Sequence, residues 1–290
     1  MNNPLAYLLV IAFFLTSCGG GKLPERKLTF AFLTDIHQNA GNTDNRRDGF
    51  ISAVDMAVKS GAQFIITGGD MVDISGMGVN IPKSLADSLY AANKKILDDS
   101  GLPYYPAIGN HDRYFNHDEG FDIGDELFES YFGRSYYTFE VSGIKFFVLN
   151  SVRFTDNKTY TLGDEQMQWL NSELAATSVD QPLVLSLHVP LYSLYYPVVE
   201  GKILDLDVVA DFAMIRDAFR GHNLRLVLQG HQHVYEEIFS QNVYYITAGA
   251  VSGNWWRGSY HGTEEGFLLV HVDVENAFTW EYVDFGWEKK

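Results

Sequence analysis

Residues able to hold metal ions or move protons fall in five short blocks along the 290-residue chain: Asp35-Ile36-His37, Gly69-Asp70, Gly109-Asn110-His111-Asp112, a lone His188, and Gly230-His231-Gln232-His233. Asp35 and His37 stand two apart, as do His231 and His233, and residues two apart on an extended chain point to the same side. Each couple can therefore act as a pair. The set offers carboxylates, imidazoles and an amide without a thiolate, a donor mixture that suits divalent zinc, manganese or iron and disfavours softer metals. Carboxylates and imidazoles gathered in a crevice without a cation would be costly. His117, His222, His261 and His271 stand outside the blocks and read as surface or satisfied core residues.

Such a site needs elements that bring distant blocks together. Each block directly follows an apolar run that reads as a buried strand: LTFAFLT before Asp35, AQFIITGG before Asp70, PYYPAIG before Asn110, PLVLSL before His188 and LRLVLQG before His231. In an α/β sheet the loops at the carboxyl ends of strands converge on one crevice. Further strands are predicted over 136–140, 145–150, 234–240, 243–247, 267–274 and 278–283, and helical periodicity over 46–59, 83–99, 164–176 and 208–219. Two sheets packed between helix layers accommodate this pattern, as one domain over residues 27–290. A hydrophobic fraction of 46% with 14% aromatic residues is ample for a buried interior.

The pattern D-x-H, G-D, G-N-H-D, H, G-H-x-H resembles that of the calcineurin-like metallophosphoesterases, over residues 28–285. The resemblance implies an α/β fold, a four-layer α-β-β-α sandwich of two mixed β-sheets flanked by helices. It implies two divalent ions, manganese, zinc or iron: one on Asp35, His37, Asp70 and His233, the other on Asp70, Asn110, His188 and His231, with Asp70 bridging. His111 matches a family histidine that faces the substrate and serves as general acid, and Asp112 the acid that orients it. Two close cations activate water and neutralise charge on phosphoryl oxygens, so the expected reaction is hydrolysis of a phosphoester, first of all a small phosphodiester. A phosphomonoesterase of the same fold is the alternative, and a non-catalytic binder of phosphorylated ligands or glycans a more distant one.

Two branches are disfavoured. The Ser/Thr protein phosphatases read G-D-x-V-D-R-G, whereas this chain reads Gly69-Asp70-Met71-Val72-Asp73-Ile74-Ser75-Gly76, without the arginine. Purple acid phosphatases carry a tyrosine three residues after the bridging aspartate, a place held here by Asp73.

Substrate choice has fewer signals. Trp255 and Trp256 are placed either to stack on a base, sugar or headgroup or to close the core, and Arg257 to hold a phosphate oxygen. Tyr195, just after His188, is a further candidate for the crevice. The acidic stretch 113–134 reads as a solvated loop and short helix without chemistry.

Charge narrows the partners. With 37 acidic and 21 basic residues the net charge is −16, and no basic cluster exceeds Arg46-Arg47, so no nucleic-acid partner is expected. Residues 5–15, LAYLLVIAFFL, fall short of the ~20 residues of a membrane span and run into Leu15-Thr16-Ser17-Cys18, which resembles a bacterial lipoprotein signal, although MNNP lacks the usual basic residue. The resemblance implies a signal peptide over 1–17, acylation of Cys18 as a membrane anchor, a tether over 18–26, and export to the bacterial cell envelope, on its periplasmic or outer-membrane face.

Overall fold

The computed structural model describes residues 25–41, 43–75, 81–121, 123–154, 158–203 and 207–288; the leader, Cys18 and the tether as far as Pro24 lie outside them. In chain order the strands are β1 (Arg26–Leu33), β2 (Ile65–Thr67), β3 (Tyr104–Pro106), β4 (Tyr137–Val141), β5 (Ile144–Leu149), β6 (Arg153–Phe154), β7 (Tyr160–Thr161), β8 (Pro182–Leu187), β9 (Asn223–Gln229), β10 (Glu236–Ser240), β11 (Val243–Thr247), β12 (Gly266–Asp273) and β13 (Phe278–Asp284). The α-helices are α1 (Thr43–Lys59), α2 (Lys83–Asp99), α3 (Glu126–Phe132), α4 (Gly163–Ala175) and α5 (Phe212–Ala218).

Two large sheets result, ordered β13-β12-β1-β2-β3 and β10-β11-β9-β8-β5-β4. Strands β1, β2 and β3 run parallel in the first, and β5, β8, β9 and β11 in the second. The antiparallel partners β12–β13, β4 and β10 complete the edges. Both sheets are mixed, as expected. Parallel strands need both faces covered, and the alternation along β1 supplies this. Leu28, Phe30 and Phe32 meet Phe146, Val184, Leu226 and Leu228 between the sheets, while Ala31 and Leu33 turn outward into the cluster that holds Phe50, Ala53 and Ala57 of α1. Phe30 stacks on Phe64 at 4.9 Å and meets Phe146 edge-on at 5.5 Å, which joins the two sheets through rings.

Helix α2 shows how the outer layers form. Ala86, Leu89, Tyr90, Asn93, Ile96 and Leu97 are buried at three- and four-residue spacing, and the exposed face carries Lys94–Asp98 and Lys95–Asp99 pairs one turn apart.

Three local expectations change. Helix α5 begins at Phe212 rather than residue 208, because Val209 bridges to Tyr160 and the Asp211 carboxylate accepts from Thr161 Oγ1 and the Leu162 amide. The short β6–β7 hairpin carries too little sequence to be foreseen. The 113–134 stretch is not simply solvated: Arg113 and Asp125 are both buried, joined at 3.2 Å, and Arg113 also donates to the Val152 carbonyl at 2.9 Å. This buried pair fixes the loop just after His111. Among the described residues no helix is long and apolar enough to cross a membrane.

Candidate metal centre

All five blocks lie just beyond the carboxyl ends of parallel strands, after β1, β2, β3, β8 and β9. Backbone bonds tie the loops to one another: the Asp35 amide donates to Gly69 O, and the Ile36 and His37 amides both donate to Asp70 O. The loop after β11 joins them, its Val251 and Ser252 amides donating to Thr34 O and Asp35 O. Glycine makes this closeness possible. Gly69 has φ +96°, and a Cβ there would stand 2.6 Å from His188 Nδ1 and 2.9 Å from the Gly109 Cα.

Three groups of ligand atoms, each within 4.8 Å of one another, emerge: Asp35, His37 and His233; Asp70, His188 and His231; and His37, Asp70 and His111. Asp70 belongs to the second and third. His233 Nε2 stands 3.4 Å from Asp35 Oδ1 and 3.0 Å from His37 Nε2. His37 Nε2 is 3.7 Å from Asp70 Oδ2, which is itself 3.2 Å from His188 Nε2. Asn110 Oδ1 lies 3.1 Å from that same His188 nitrogen. The predicted ligands are thus gathered around Asp70.

The protonation pattern tests whether a cation fits. His233 Nδ1 faces the Gly253 carbonyl at 2.6 Å, and His188 Nδ1 faces the Gly68 carbonyl at 2.8 Å. A carbonyl only accepts, so Nδ1 carries the proton in each and Nε2 presents a lone pair inward. His37 Nδ1 lies 3.5 Å from Asp73 Oδ1, an acceptor that favours the same tautomer. Lone pairs of His37 and His233 then oppose each other, a conflict that a divalent cation between them resolves, while the His188 Nε2 beside Asp70 would yield its own proton to a cation.

Electrostatics agree. Burial, then the charge of His188, pushes His231 down to about 3, and burial pushes His233 down to about 4. Burial works against a charged His188, but Asp70 and Asp35 overcome it and lift it to about 9. Burial likewise opposes ionisation of Asp70, which His188 and His111 hold well below the usual carboxylate range. Without metal, His188 carries a proton where a cation belongs.

The backbone is strained at this centre. Asp35, His37, Asp70, His231 and His233 have φ of 56°, 50°, 52°, 73° and 58°, the left-handed region that costs a non-glycine residue about 1–3 kcal/mol.

His111 sits at the rim, its side chain 20% exposed, with Nδ1 2.6 Å from Asp73 Oδ1. Burial opposes protonation, but Asp70 and Asp73 lift it to about 9, so it carries a proton at neutral pH. Its partner is not the one the sequence suggested. Asp112 is fully buried, and its carboxylate accepts from the Val72 amide at 2.9 Å and the Gly109 amide at 2.8 Å, facing away from the imidazole into the loop framework. Asp73 takes the orienting place. The sequence offered Asp73 only as the residue three after Asp70, with no role attached.

The substrate candidates divide. Trp255 stacks on His233 with centroids 4.1 Å apart and 26° between planes. Trp256 is a core residue: it is buried, donates from Nε1 to Ile36 O at 2.7 Å, and packs against Trp287. Tyr195 is also buried, stacked behind Tyr260 with the two hydroxyls 3.2 Å apart, and does not line the cleft. Arg257 does. A cleft of ≈ 570 Å³ opens beside the ligands, lined by His111, Asp73, Ser75, Trp255, Arg257 and Arg46. Sequence reasoning missed Arg46, which it met only as half of a short basic pair.

A family model described as calcineurin-like phosphoesterase matches residues 28–235. No curated protein matches the chain. Among solved structures, a dimetal phosphatase from Danio rerio superposes with a TM-score of 0.66 at 14% identity, covering 89% of this chain and 96% of that one. GAP50, the anchor in the inner membrane complex of Plasmodium, gives 0.60 at 16% identity, covering 91% and 87%. A purple acid phosphatase from yellow lupin (Lupinus luteus) seeds gives 0.61 at 17% identity, covering 89% of this chain and 51% of that one. At these identities the likeness shows the shared fold.

Proposed function

The chain belongs to the calcineurin-like phosphoesterases, hydrolases of phosphoesters, and on that premise we propose that it hydrolyses a small phosphodiester with two divalent ions at the Asp70-centred cluster. The observation that carries this reading is the pair of ligand groups sharing one neighbourhood around Asp70, with the His111 imidazole at their rim held 2.6 Å from Asp73. Bound there, divalent ions supply Lewis acidity toward phosphoryl oxygens and a nucleophilic water at neutral pH.

The protein's own part follows from His111. As the P–O bond breaks and water adds to phosphorus, the departing oxygen must gain a proton. His111 is the acid that supplies it, held by Asp73 on the ring nitrogen away from the reaction. His188 and His233 are fixed in their tautomers by Gly68 and Gly253, so both present Nε2 without rearrangement.

The same reading keeps the protein at a membrane. Residues 5–15 and Cys18 support export and acylation, and because that apolar stretch is shorter than the ~20 residues of a membrane span, the acyl chains on Cys18 would be the anchor.

Steady-state hydrolysis of bis(4-nitrophenyl) phosphate and 4-nitrophenyl phosphate by manganese- or zinc-loaded protein tests the proposal. Higher kcat/KM on the diester supports it. The reverse order makes the protein a monoesterase, and metal binding with no turnover of either ester makes it a binding protein.

A further inference from the structure

The cleft beside the ligands has a direction. A general acid must touch the departing oxygen, so the space into which His111 opens receives the leaving moiety, and the side chains lining it choose that moiety. Besides His111 and Asp73, that space is lined by Trp255 and two arginines, Arg46 from α1 and Arg257 from the loop after β11.

Neither arginine has a carboxylate within ion-pair distance among the described residues, although acidic residues outnumber basic ones by 37 to 21. Asp73, the acid of the cleft, is already engaged by His111 at 2.6 Å. Arg46 is half-buried; burial weakens its hold on its proton, the charge of Asp73 strengthens it, and the neighbouring charge of Arg257 weakens it again. Two cations that repel each other at the mouth of a site, in a protein rich in anions, are a fixed cost that a ligand anion would relieve. Arg257 is oriented rather than free: its Nε donates to Asn254 O at 3.2 Å, leaving the other N–H groups available, and its guanidinium carbon lies 5.9 Å from the centre of the Trp255 ring.

We propose that Arg46 and Arg257 form an anion subsite for the leaving moiety, so that the substrate is a phosphoester whose departing alcohol carries a second anionic group beside a planar ring. The inference rests on the phosphoesterase reading above. The second anion is a carboxylate or a phosphate, and the guanidinium fork accepts either.

The test uses phenyl, 4-carboxyphenyl and 4-phosphonophenyl esters, each as phosphate monoester and methyl diester, with metal-loaded full-length protein. We expect kcat/KM for a charged ester to exceed that for the phenyl ester by about tenfold or more, as charge-assisted hydrogen bonds allow. Arg46→Ala and Arg257→Ala should each shrink that ratio, and the double variant should bring it near one. Which charged ester gives the larger ratio identifies the anion. Titration calorimetry of phenylphosphonate against 4-phosphonobenzoate gives a second readout, in which the variants should lose the preference for the probe that carries the added carboxylate. A wild-type ratio near one overturns the proposal. So does an equal loss on charged and uncharged esters, which would assign the arginines to the reacting phosphoryl group. If no ester turns over, the phosphoesterase reading fails, and calorimetry alone still decides whether the subsite discriminates.

Discussion

Asp73 Oδ1 lies 2.6 Å from His111 Nδ1 and 3.5 Å from His37 Nδ1. One carboxylate therefore couples the imidazole proposed as proton donor at the rim to a candidate metal ligand in the interior. Removing its charge should leave His111 less often protonated and less well aimed. Asp73→Asn should then lose turnover mainly with alkyl esters, whose leaving groups need a proton, and much less with nitrophenyl esters. His111→Ala should show the larger version, about a hundredfold or more on the alkyl ester. Steady-state rates on the two ester types check this. Equal losses on both would remove the acid role.

Asp112 should behave differently. Its two oxygens accept from the Val72 and Gly109 amides, and asparagine offers one acceptor and one donor in their place. Asp112→Asn should lower unfolding free energy by about 1–3 kcal/mol, the cost of a buried amide left without a partner. Urea denaturation measures it, and an unchanged midpoint with a loss confined to alkyl esters would restore Asp112 to the acid machinery.

The two tryptophans separate in the same pair of measurements. Trp256→Ala should destabilise by roughly 3–5 kcal/mol as a large buried aromatic is deleted. Trp255→Ala should change stability little and raise KM for esters with an aromatic leaving moiety, by the equivalent of roughly 1–3 kcal/mol of stacking. Melting temperatures with KM values on aryl and alkyl esters decide, and matching effects from both variants would contradict the division seen here.

Protons and metals should compete unequally at the two positions. In metal-free protein His188 is held protonated with a pKa of about 9, while His231 and His233 sit near 3 and 4. Loading the position at Asp70, Asn110, His188 and His231 should therefore release a proton between pH 7 and 9, and its affinity should climb with pH there. Loading at Asp35, His37 and His233 should release none from its two imidazoles near neutrality, since burial depresses both. Calorimetry in buffers of different ionisation enthalpy counts these protons. The same shifts govern the stability of the metal-free fold. His188 and His111, raised above the ~6.5 of an unfolded imidazole, contribute fully below that pH and lose their contribution as pH rises through about 9. His231 and His233, depressed, lose theirs as pH falls from ~6.5 toward 3 or 4. Melting curves in chelator should thus fall off on both sides of pH 6.5.

Asp70→Asn should lower occupancy of both positions, since Asp70 lies within reach of both ligand groups. His188→Asn should deplete mainly one. Elemental analysis of dialysed protein reads both, and full metal content in Asp70→Asn would exclude a shared ligand.

The ligand blocks were legible because each follows an apolar run that becomes a parallel strand, and the carboxyl ends of such strands meet wherever the sheets are placed. Even β2, only three residues long, sets Asp70 correctly. Asp73 was not legible, because its role depends on the loops after β2 and β3 closing on each other, as in the Ile74 and Ser75 amides donating to His111 O. Composition alone could not divide Trp255 from Trp256. Their opposite fates depend on a turn in which both adopt left-handed φ, 50° and 63°. Arg46 escaped notice for a related reason: its charge matters only because helix α1 carries it to the edge of a cleft made by other elements.

The left-handed backbone of Asp35, His37, Asp70, His231 and His233 sets terms for anyone wishing to transplant this centre. Copying side-chain positions onto regular strands would omit the turns that aim them, and a scaffold without those turns would present the same residues in the wrong directions. The vocabulary of usable ligands is limited too. Aspartate, asparagine and histidine tolerate left-handed φ better than other non-glycine residues, so the peptide chain itself narrows which donors can be offered, before any metal exerts its preference.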